Sequence, residues 1–178
     1  MPYRVPNVTF MLREGDTVPE NGVCSIGGKF VAKTSKELFA NKKVIIFSLP
    51  GAFTPTCSTY QLPGFEEKYG EFKNLGIDEI YCISVNDAFV MNEWARQLGI
   101  RSVKMLPDGN GDFTRLMGML VNKSNLGFGM RSHRYAAIIT DMTREKLFVE
   151  EGREDNFGSD PYGESSPETV MNYLKSIK

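Results

Sequence analysis

The stretch PGAFTPTC, from Pro50 to Cys57, places a cysteine shortly after the apolar segment KVIIFSL. In an open α/β sheet, sites collect where a strand ends and a helix begins, and Cys57 lies at such a junction. Unpaired N–H groups and the helix dipole at a helix N-terminus favour a thiolate over a thiol. Thr54 adds a hydroxyl one turn before the sulfur, and Pro50 and Pro55 restrict two φ angles and remove two donors. The stretch indicates a nucleophilic thiol, although a buried cysteine that acts as a small hydrophobe would have the same residue type.

Few other residues offer ligands for a metal. Cys24 and Cys82 are the remaining cysteines, and His133 is the only histidine. The sequence has no C-x-x-C pair, whereas a zinc site needs four ligands that often come in close pairs. An odd number of cysteines does not fit a framework of structural disulfides. We therefore expect no metal site and no disulfide framework. The first residues, MPYRVPNVTFMLREGD, have no apolar stretch of the signal-peptide type, which predicts a cytoplasmic location.

Composition excludes several classes of partner. The formal net charge is −1 and 24% of residues are charged, so no attraction to nucleic acid or to an anionic membrane surface is expected. No apolar run approaches the ~20 residues of a membrane span. At 178 residues with 41% hydrophobic residues, the sequence predicts one domain, 1–178, with a substantial core.

Strands and helices alternate along most of the chain. Buried strands are predicted at 43–49, 79–85 and 134–140, a hairpin partner at KLFVEE, and helices at 57–75, 87–99, FTRLMGMLV and SSPETVMNYLKSI. The first 33 residues favour a hairpin or loosely paired strands that contain VTFML and KFVA. This order predicts an α/β fold with a mixed central sheet flanked by helices and an N-terminal β extension.

Pro50, Thr54 and Cys57 form the pattern P-x-x-x-T-x-x-C, which resembles the signature of peroxiredoxins. The segments that narrow the resemblance to the type II, peroxiredoxin-5-like subfamily are KKVIIFSLPGAFTPTCS, IYCISVNDAFVMNEWA, LPDGNGDFTRLMGM and LGFGMRSHRYAAII. The resemblance covers about residues 40–150. It implies a thioredoxin-like fold and thiol-dependent reduction of hydrogen peroxide and organic hydroperoxides, with no metal, haem or flavin cofactor. It also implies a homodimer surface that includes Phe53 and Phe89.

The resemblance assigns a role to each matching residue. Cys57 is expected to attack the peroxide and become a sulfenic acid, the Thr54 hydroxyl to bond the sulfur and the peroxide, and Pro50 to shield the sulfur. Arg134 is expected to hold the thiolate and the peroxide. The backbone N–H groups of Thr56 and Cys57 are expected to point at the peroxide oxygens.

Physical chemistry indicates which of these effects matters most. A few per cent of a free thiol is ionised near neutral pH, so complete ionisation increases the rate only about tenfold. The leaving oxygen gains negative charge as the sulfur attacks. Arg134, Thr54 and the helix N–H groups are therefore expected to act mainly as a preorganised donor set for that charge.

The sequence leaves open which thiol reacts with the Cys57 sulfenic acid. Cys82 matches a cysteine proposed to resolve the sulfenic acid in plant-like type II members, but an inert core thiol fits the same buried strand. The candidate reductants are glutathione with glutaredoxin and, as the alternative, thioredoxin. Cys24 is treated as a bystander. Pro63 removes a hydrogen bond near the start of the predicted helix, which leads to the hypothesis that a mobile reactive turn precedes a fixed helix body.

His133 and Arg131 lie close to Arg134 in the sequence, and the motif leaves two other functions open. Strand alternation directs His133 away from the face of Arg134, which argues against a catalytic histidine, while Arg131 is either a supporting residue or solvated. A thiol-disulfide oxidoreductase or redox sensor is the main alternative, and a non-enzymatic interaction module is a third. Peroxide chemistry needs both Thr54 and Arg134, whereas disulfide exchange needs neither.

Overall fold

The computed structural model describes residues 3–20 and 26–178. Its strands are β1 Tyr3–Arg4, β2 Thr9–Glu14, β3 Lys29–Thr34, β4 Lys43–Leu49, β5 Glu79–Ser84, β6 Lys104–Pro107, β7 Leu120–Asn122, β8 Met130–Ser132, β9 Tyr135–Thr140 and β10 Thr143–Val149. Its helices are α1 Ser35–Phe39, α2 Leu62–Glu67, α3 Tyr69–Asn74, α4 Ala88–Gln97, α5 Asp112–Leu116 and α6 Pro167–Ser176. The described part of the chain has no helix that is long and apolar enough to span a bilayer.

The main sheet has six strands in the order β1-β10-β9-β4-β5-β6. Strand β4 pairs parallel with β5 and antiparallel with β9, which makes the sheet mixed. Successive side chains of β4 enter opposite faces: Phe47 packs in the core beneath α2, α4 and α6, and Ile46 packs in the core beneath α1 and α5. This alternation explains why the segment is apolar at nearly every position.

The N-terminal strands β2 and β3 form a separate antiparallel hairpin, while β1 joins the edge of the main sheet. Thr34 caps α1 by accepting a hydrogen bond from the Glu37 backbone N–H three positions further on. A mixed central sheet, helices on both faces and an N-terminal β extension confirm the predicted thioredoxin-like α/β fold.

The helical stretch predicted over 57–75 is not one regular α-helix. A π-helical turn, Cys57–Gln61, precedes α2, and α2 is separated from α3 at Lys68, where the backbone leaves helical geometry (φ −93°, ψ 5°). Pro63 lies in the first turn of α2 and has no N–H to donate back into the preceding π-helical turn. The change in hydrogen-bond pattern therefore falls next to Pro63.

The predicted helix FTRLMGMLV is also too long. Helix α5 ends at Leu116, and Gly118 has a φ of 74°, a left-handed conformation that favours glycine. The chain then enters β7, which pairs with β8 in a small hairpin that the sequence pattern did not indicate. This hairpin positions Arg131 and the residues just before β9.

Candidate active site

Cys57 lies in the first turns of the helical segment that follows β4. The first hydrogen bond of the helical segment runs from the Ser58 N–H to the Thr54 carbonyl at 3.0 Å. The N–H groups of Thr56 and Cys57 precede that bond, so they remain available to an acceptor outside the helix. Phe53 reverses the chain just before this turn with a φ of 65°, a conformation that is uncommon for a large residue.

The π-helical turn is a local widening of the helix. The Leu62 N–H donates to the Cys57 carbonyl, an i→i+5 bond in place of the usual i→i+4 bond. The side chain of Ser58 accepts a hydrogen bond from Trp94 Nε1 at 2.9 Å. Such π-helical turns occur frequently at functional sites, and this one begins at the candidate nucleophile.

Thr54 differs from the expectation. Its hydroxyl donates to the Gly51 carbonyl at 2.8 Å. A hydroxyl has one proton, so Thr54 has none left for the sulfur, and its remaining capacity is to accept. Contrary to the expectation, the Thr54 hydroxyl therefore does not donate to the Cys57 sulfur in this structure: Gly51, two residues beyond the end of β4, accepts its proton.

Arg134 reaches Cys57 from the position just before β9. Its Nη1 donates to Cys57 Sγ at 3.3 Å and to Gln61 Oε1 at 2.6 Å. Its Nη2 donates to both carboxylate oxygens of Asp160, each at 2.9 Å. Among the described residues its Nε has no acceptor although it is buried. The guanidinium is thus fixed by four bonds and keeps one donor unused.

Burial opposes the charge on Arg134, but the nearby negative charges of Cys57 and Asp160 outweigh burial and raise the pKa of Arg134. The ring of Tyr162 lies 5.9 Å from the guanidinium carbon. Burial, reinforced by Glu168, raises the pKa of Tyr162 to about 12. Arg134 therefore stays charged and Tyr162 stays neutral at physiological pH.

Sequence reasoning missed Gln61 and Asp160. Gln61 is fully buried, and its Nε2 donates to the Ser165 side chain at 3.3 Å, which links the π-helical turn to the segment before α6. That segment is held by buried Glu150, whose Oε1 accepts from the backbone N–H groups of Gly163 and Ser165, each at 2.8 Å. Gln61 follows Cys57 by four positions, a spacing that offered a signal, whereas Asp160 has no local signal.

Cys82 lies in β5 and is fully buried in the same apolar core as Cys57. Both are free thiols. Burial raises the pKa of Cys82 well above its ordinary value, and the negative charge at Cys57 adds to this effect. The positive charge of Arg134 opposes it but is weaker. In this state Cys82 is a protonated core thiol. Cys24 lies outside the described residues.

Pro50 is buried, and its carbonyl accepts from Arg131 Nη1 at 3.4 Å. Arg131 Nε also donates to the Phe128 carbonyl at 3.0 Å, so Arg131 ties the β7–β8 hairpin to the turn above Cys57. Pro50 and Thr54 line a cavity of about 280 Å³ that opens beside the turn. Arg131 thus contacts the site through the backbone.

His133 points away from Cys57. Its Nε2 forms a 2.7 Å hydrogen bond with the Glu150 carbonyl. Burial lowers the pKa of His133 from its ordinary value, so the imidazole is neutral at pH 7. The described residues contain no cluster of histidine, cysteine and acidic side chains that could hold a metal ion.

Known proteins were then compared with this chain. A family model described as Redoxin matches residues 13–160. A peroxiredoxin of Rhizobium etli is 54% identical over 180 residues, covering 99% of this chain and 97% of that protein. The crystal structure of the Plasmodium falciparum antioxidant protein, a 1-Cys peroxiredoxin, has a TM-score of 0.89 and 40% identity, covering 98% of each chain. Reduced Prx3 of Vibrio vulnificus, in complex with H2O2, has a TM-score of 0.82 and 34% identity, covering 99% of this chain and 96% of that one.

These matches extend over nearly the whole chain, and they coincide with a buried cysteine held by an arginine where a strand passes into a helix. Identity of this extent shows common ancestry as well as a common fold. The chain belongs to the peroxiredoxins of the AhpC/TSA superfamily and is a thiol peroxidase.

Proposed function

We propose that Cys57 is the peroxidatic cysteine and that it reduces both hydrogen peroxide and organic hydroperoxides. The observation that carries the proposal is the 3.3 Å contact between Arg134 Nη1 and Cys57 Sγ, next to a buried Nε with no acceptor among the described residues. Family membership sets aside the disulfide oxidoreductase and the non-enzymatic module as functions. The complex of the Vibrio vulnificus relative with H2O2 supports a peroxide substrate.

The hydrogen-bond donors around Cys57 explain how the peroxide is reduced. The Cys57 thiolate attacks one oxygen of ROOH, the O–O bond breaks, and Cys57–SOH and RO⁻ form. RO⁻ then takes a proton to give the alcohol, or water when R is hydrogen. We propose that Arg134 Nε and the N–H groups of Thr56 and Cys57 donate to the oxygens as charge develops. The Thr54 hydroxyl accepts the O–H of the incoming peroxide, because its own proton is bonded to Gly51.

Resolution needs a second thiol. An external thiol RSH condenses with Cys57–SOH to give the mixed disulfide Cys57–S–SR and water, and a further thiol releases the enzyme. Glutathione with glutaredoxin is the proposed reductant, with thioredoxin as the alternative. Cys82 is proposed as an internal resolving residue only after movement of the π-helical turn, since Cys82 lies in a strand and both thiols are free. The 1-Cys description of the Plasmodium falciparum relative supports an external thiol.

We further propose that residues 1–178 act as one domain in a cytosolic homodimer. Phe53 and Phe89 support the homodimer, because 47% and 40% of their respective surfaces are exposed although both are large and apolar. The free thiols of Cys57 and Cys82 fit a reducing compartment. Size-exclusion chromatography with light scattering of Phe89→Glu would show a monomer if this surface forms the dimer.

The decisive experiment follows peroxide consumption with the glutathione–glutaredoxin system and, separately, with the thioredoxin system. Cys57→Ser is expected to abolish turnover with both. Cys82→Ser is the matched control and retains the initial oxidation of Cys57. Full turnover by Cys57→Ser would refute the assignment of the nucleophile, and turnover with one reducing system alone would identify the reductant.

A further inference from the structure

Lys123 is a charged residue that the peroxide mechanism does not use. It follows β7 and only 8% of its surface is exposed. Its backbone is fixed, because its N–H donates to Gly129 at 2.8 Å and its carbonyl accepts from Leu126 at 3.0 Å and Phe128 at 3.1 Å. Within residues 3–20 and 26–178, no acidic side chain forms an ion pair with its ammonium group.

Most of the Lys123 side chain is packed against the protein, whereas its ammonium group is not among the fully buried polar atoms of the described residues. Such a side chain covers apolar surface with its stem and leaves its charge within reach of a ligand. Lys123 lines the 280 Å³ cavity at the site, and the same cavity is bounded by Pro50 and Thr54 above Cys57. A molecule in this cavity can therefore contact both Lys123 and the turn that contains Pro50 and Thr54.

The charges around the cavity are unbalanced. Asp160 is the one carboxylate in the cavity lining, and both of its oxygens already bind Arg134. Arg131 lies beside the cavity and donates to the Pro50 and Phe128 carbonyls. Glu150 and Glu151 line the adjoining cavity together with Lys123 but do not line this one. Lys123 is therefore the cationic group that this lining offers to a ligand, and it favours an anionic group.

The rest of the lining limits the chemistry of the ligand. The apolar residues of the wall are Pro50, Pro55, Leu126, Phe128 and Phe157. An apolar wall with one cationic point favours a molecule that has an apolar body and a single anionic end. A phosphate or another small inorganic ion would leave the apolar wall without a contact.

We propose that Lys123 binds the carboxylate of a substrate whose apolar part lies along the wall and whose reacting atom meets Cys57. The proposal rests on the function proposed above. The carboxylate has two candidate sources. One is a hydroperoxide of a carboxylic acid, which reacts with the thiolate to give Cys57–SOH and the hydroxy acid. The other is a carboxylate-bearing thiol, which condenses with Cys57–SOH to give the mixed disulfide and water.

The test compares matched probes in each half-reaction by stopped-flow. The peroxide arm uses cumene hydroperoxide and its para-carboxylate. The thiol arm uses 3-mercaptopropionate and 3-mercaptopropionamide on the preformed sulfenic acid. Each is run with wild type, Lys123→Met, Lys123→Arg and the control Lys104→Met, which removes an exposed lysine on the far edge of the main sheet.

In the arm that supplies the natural ligand, Lys123→Met is expected to lower the ratio of the carboxylated to the neutral rate constant about tenfold, the scale of a lost hydrogen bond to a charged group. Lys123→Arg should restore most of that ratio, and Lys104→Met should leave it unchanged. An effect in the peroxide arm alone identifies the acid hydroperoxide, and an effect in the thiol arm alone identifies the thiol. Equal ratios in all variants, or equal slowing of all probes, would overturn the proposal.

A binding measurement separates this proposal from the proposed function. Calorimetric titration with 3-phenylpropionate and 3-phenylpropionamide needs no turnover, and the wild type should prefer the carboxylate. The preference should fall with added salt, which tests the charge without any variant. A carboxylate preference without peroxidase activity at Cys57 would refute the function alone, and activity without that preference would refute the subsite alone.

Discussion

Cys57 and Cys82 are both fully buried and contribute to the same apolar core, but the chain around them is built differently. Cys82 lies within regular strand β5, which is paired on both sides by β4 and β6. Cys57 begins a π-helical turn, and the Arg134 guanidinium donates to its sulfur. One thiol sits in the most regular part of the fold and the other in an irregular turn.

The difference shows that burial alone does not make a cysteine inert or reactive. Burial raises the pKa of Cys82 because removal from water penalises the thiolate there. At Cys57 the same removal from water is combined with an arginine and with free N–H groups at a helix N-terminus. A low local dielectric strengthens those donors. The donors around the sulfur, rather than its depth, distinguish the two sites.

The largest expected effect tests the donors at Cys57. Arg134→Lys keeps the charge but loses the planar fork that binds Cys57, Gln61 and Asp160 together. If Arg134 stabilises the transition state, the rate of Cys57 oxidation should fall at least ~10²-fold, the scale for one well-placed oxyanion donor. Stopped-flow oxidation at a pH where the thiol is fully ionised measures this. A rate near that of wild type would mean that Arg134 serves only to ionise the sulfur.

A smaller effect is expected from the neighbour that orients Arg134. Gln61→Leu removes the acceptor of the 2.6 Å bond from Arg134 Nη1 and leaves that donor buried. The oxidation rate should fall about tenfold, because a hydrogen bond to a charged group contributes ~1.5–3 kcal/mol. Thr59→Ala, an exposed position in the same turn, is the matched control. Equal rates for the two variants would show that Gln61 has no part in orienting the arginine.

The mobility of the turn can be tested separately from its chemistry. Pro63→Ala restores a backbone N–H that can bond back into the π-helical turn and stabilise it by ~1 kcal/mol. We expect formation of a Cys57–Cys82 disulfide to slow a few-fold after the sulfenic acid appears, with an unchanged peroxide step. Mass spectrometry of time-quenched samples follows both species.

The same experiment tests whether the two cysteines react with each other at all. Absence of a Cys57–Cys82 bridge in peroxide-treated wild type would identify Cys82 as a core thiol. An external thiol would then resolve Cys57, and Pro63→Ala would slow the formation of that mixed disulfide instead.

The smallest effect concerns Cys82 and stability. Because the folded state raises the pKa of Cys82, its thiol stays protonated at a pH where the unfolded chain already ionises. Its stabilising contribution is complete below the unfolded pKa of ~8.5 and is lost as the pH rises above that value, by about 1 kcal/mol per pH unit. Urea unfolding of wild type and Cys82→Ala at several pH values between 7.5 and 9.5 measures this. The stability difference should narrow with pH, and a constant difference would contradict the raised pKa.

Local sequence was sufficient for the elements and for the start of the site. Short runs that are apolar at both alternating sets of positions identify β4, β5 and β9, because both faces of a central strand are covered. Pro50, Thr54 and Cys57 fall within eight consecutive positions, so the turn between strand and helix determines their proximity. The capping residues Thr34 and Ser166 are likewise local, since each bonds a backbone N–H three positions away.

Tertiary structure alone decided which partners complete the site. The antiparallel register of β9 on β4, with Tyr135 opposite Ser48, brings Arg134 to the end of β4 and thus to Cys57, 77 positions away in sequence. Buried Glu150 folds the following segment back over the turn, which carries Asp160 to the guanidinium. No local pattern encodes these pairings, because they depend on strand register and on a loop held by a buried carboxylate.

Lys123 and the Thr54 hydroxyl illustrate the same limit. The sequence shows that both can form hydrogen bonds, but not with which group. Thr54 donates to Gly51 because the carbonyl three positions earlier in the chain lies within reach. Lys123 becomes buried only when the β7–β8 hairpin closes beside the cavity. Residue types therefore determined the chemistry available to this protein. Packing decided which hydrogen-bond donors, charges and cavity lie next to Cys57, because hydrogen bonds and desolvation depend on distances that only the folded chain defines.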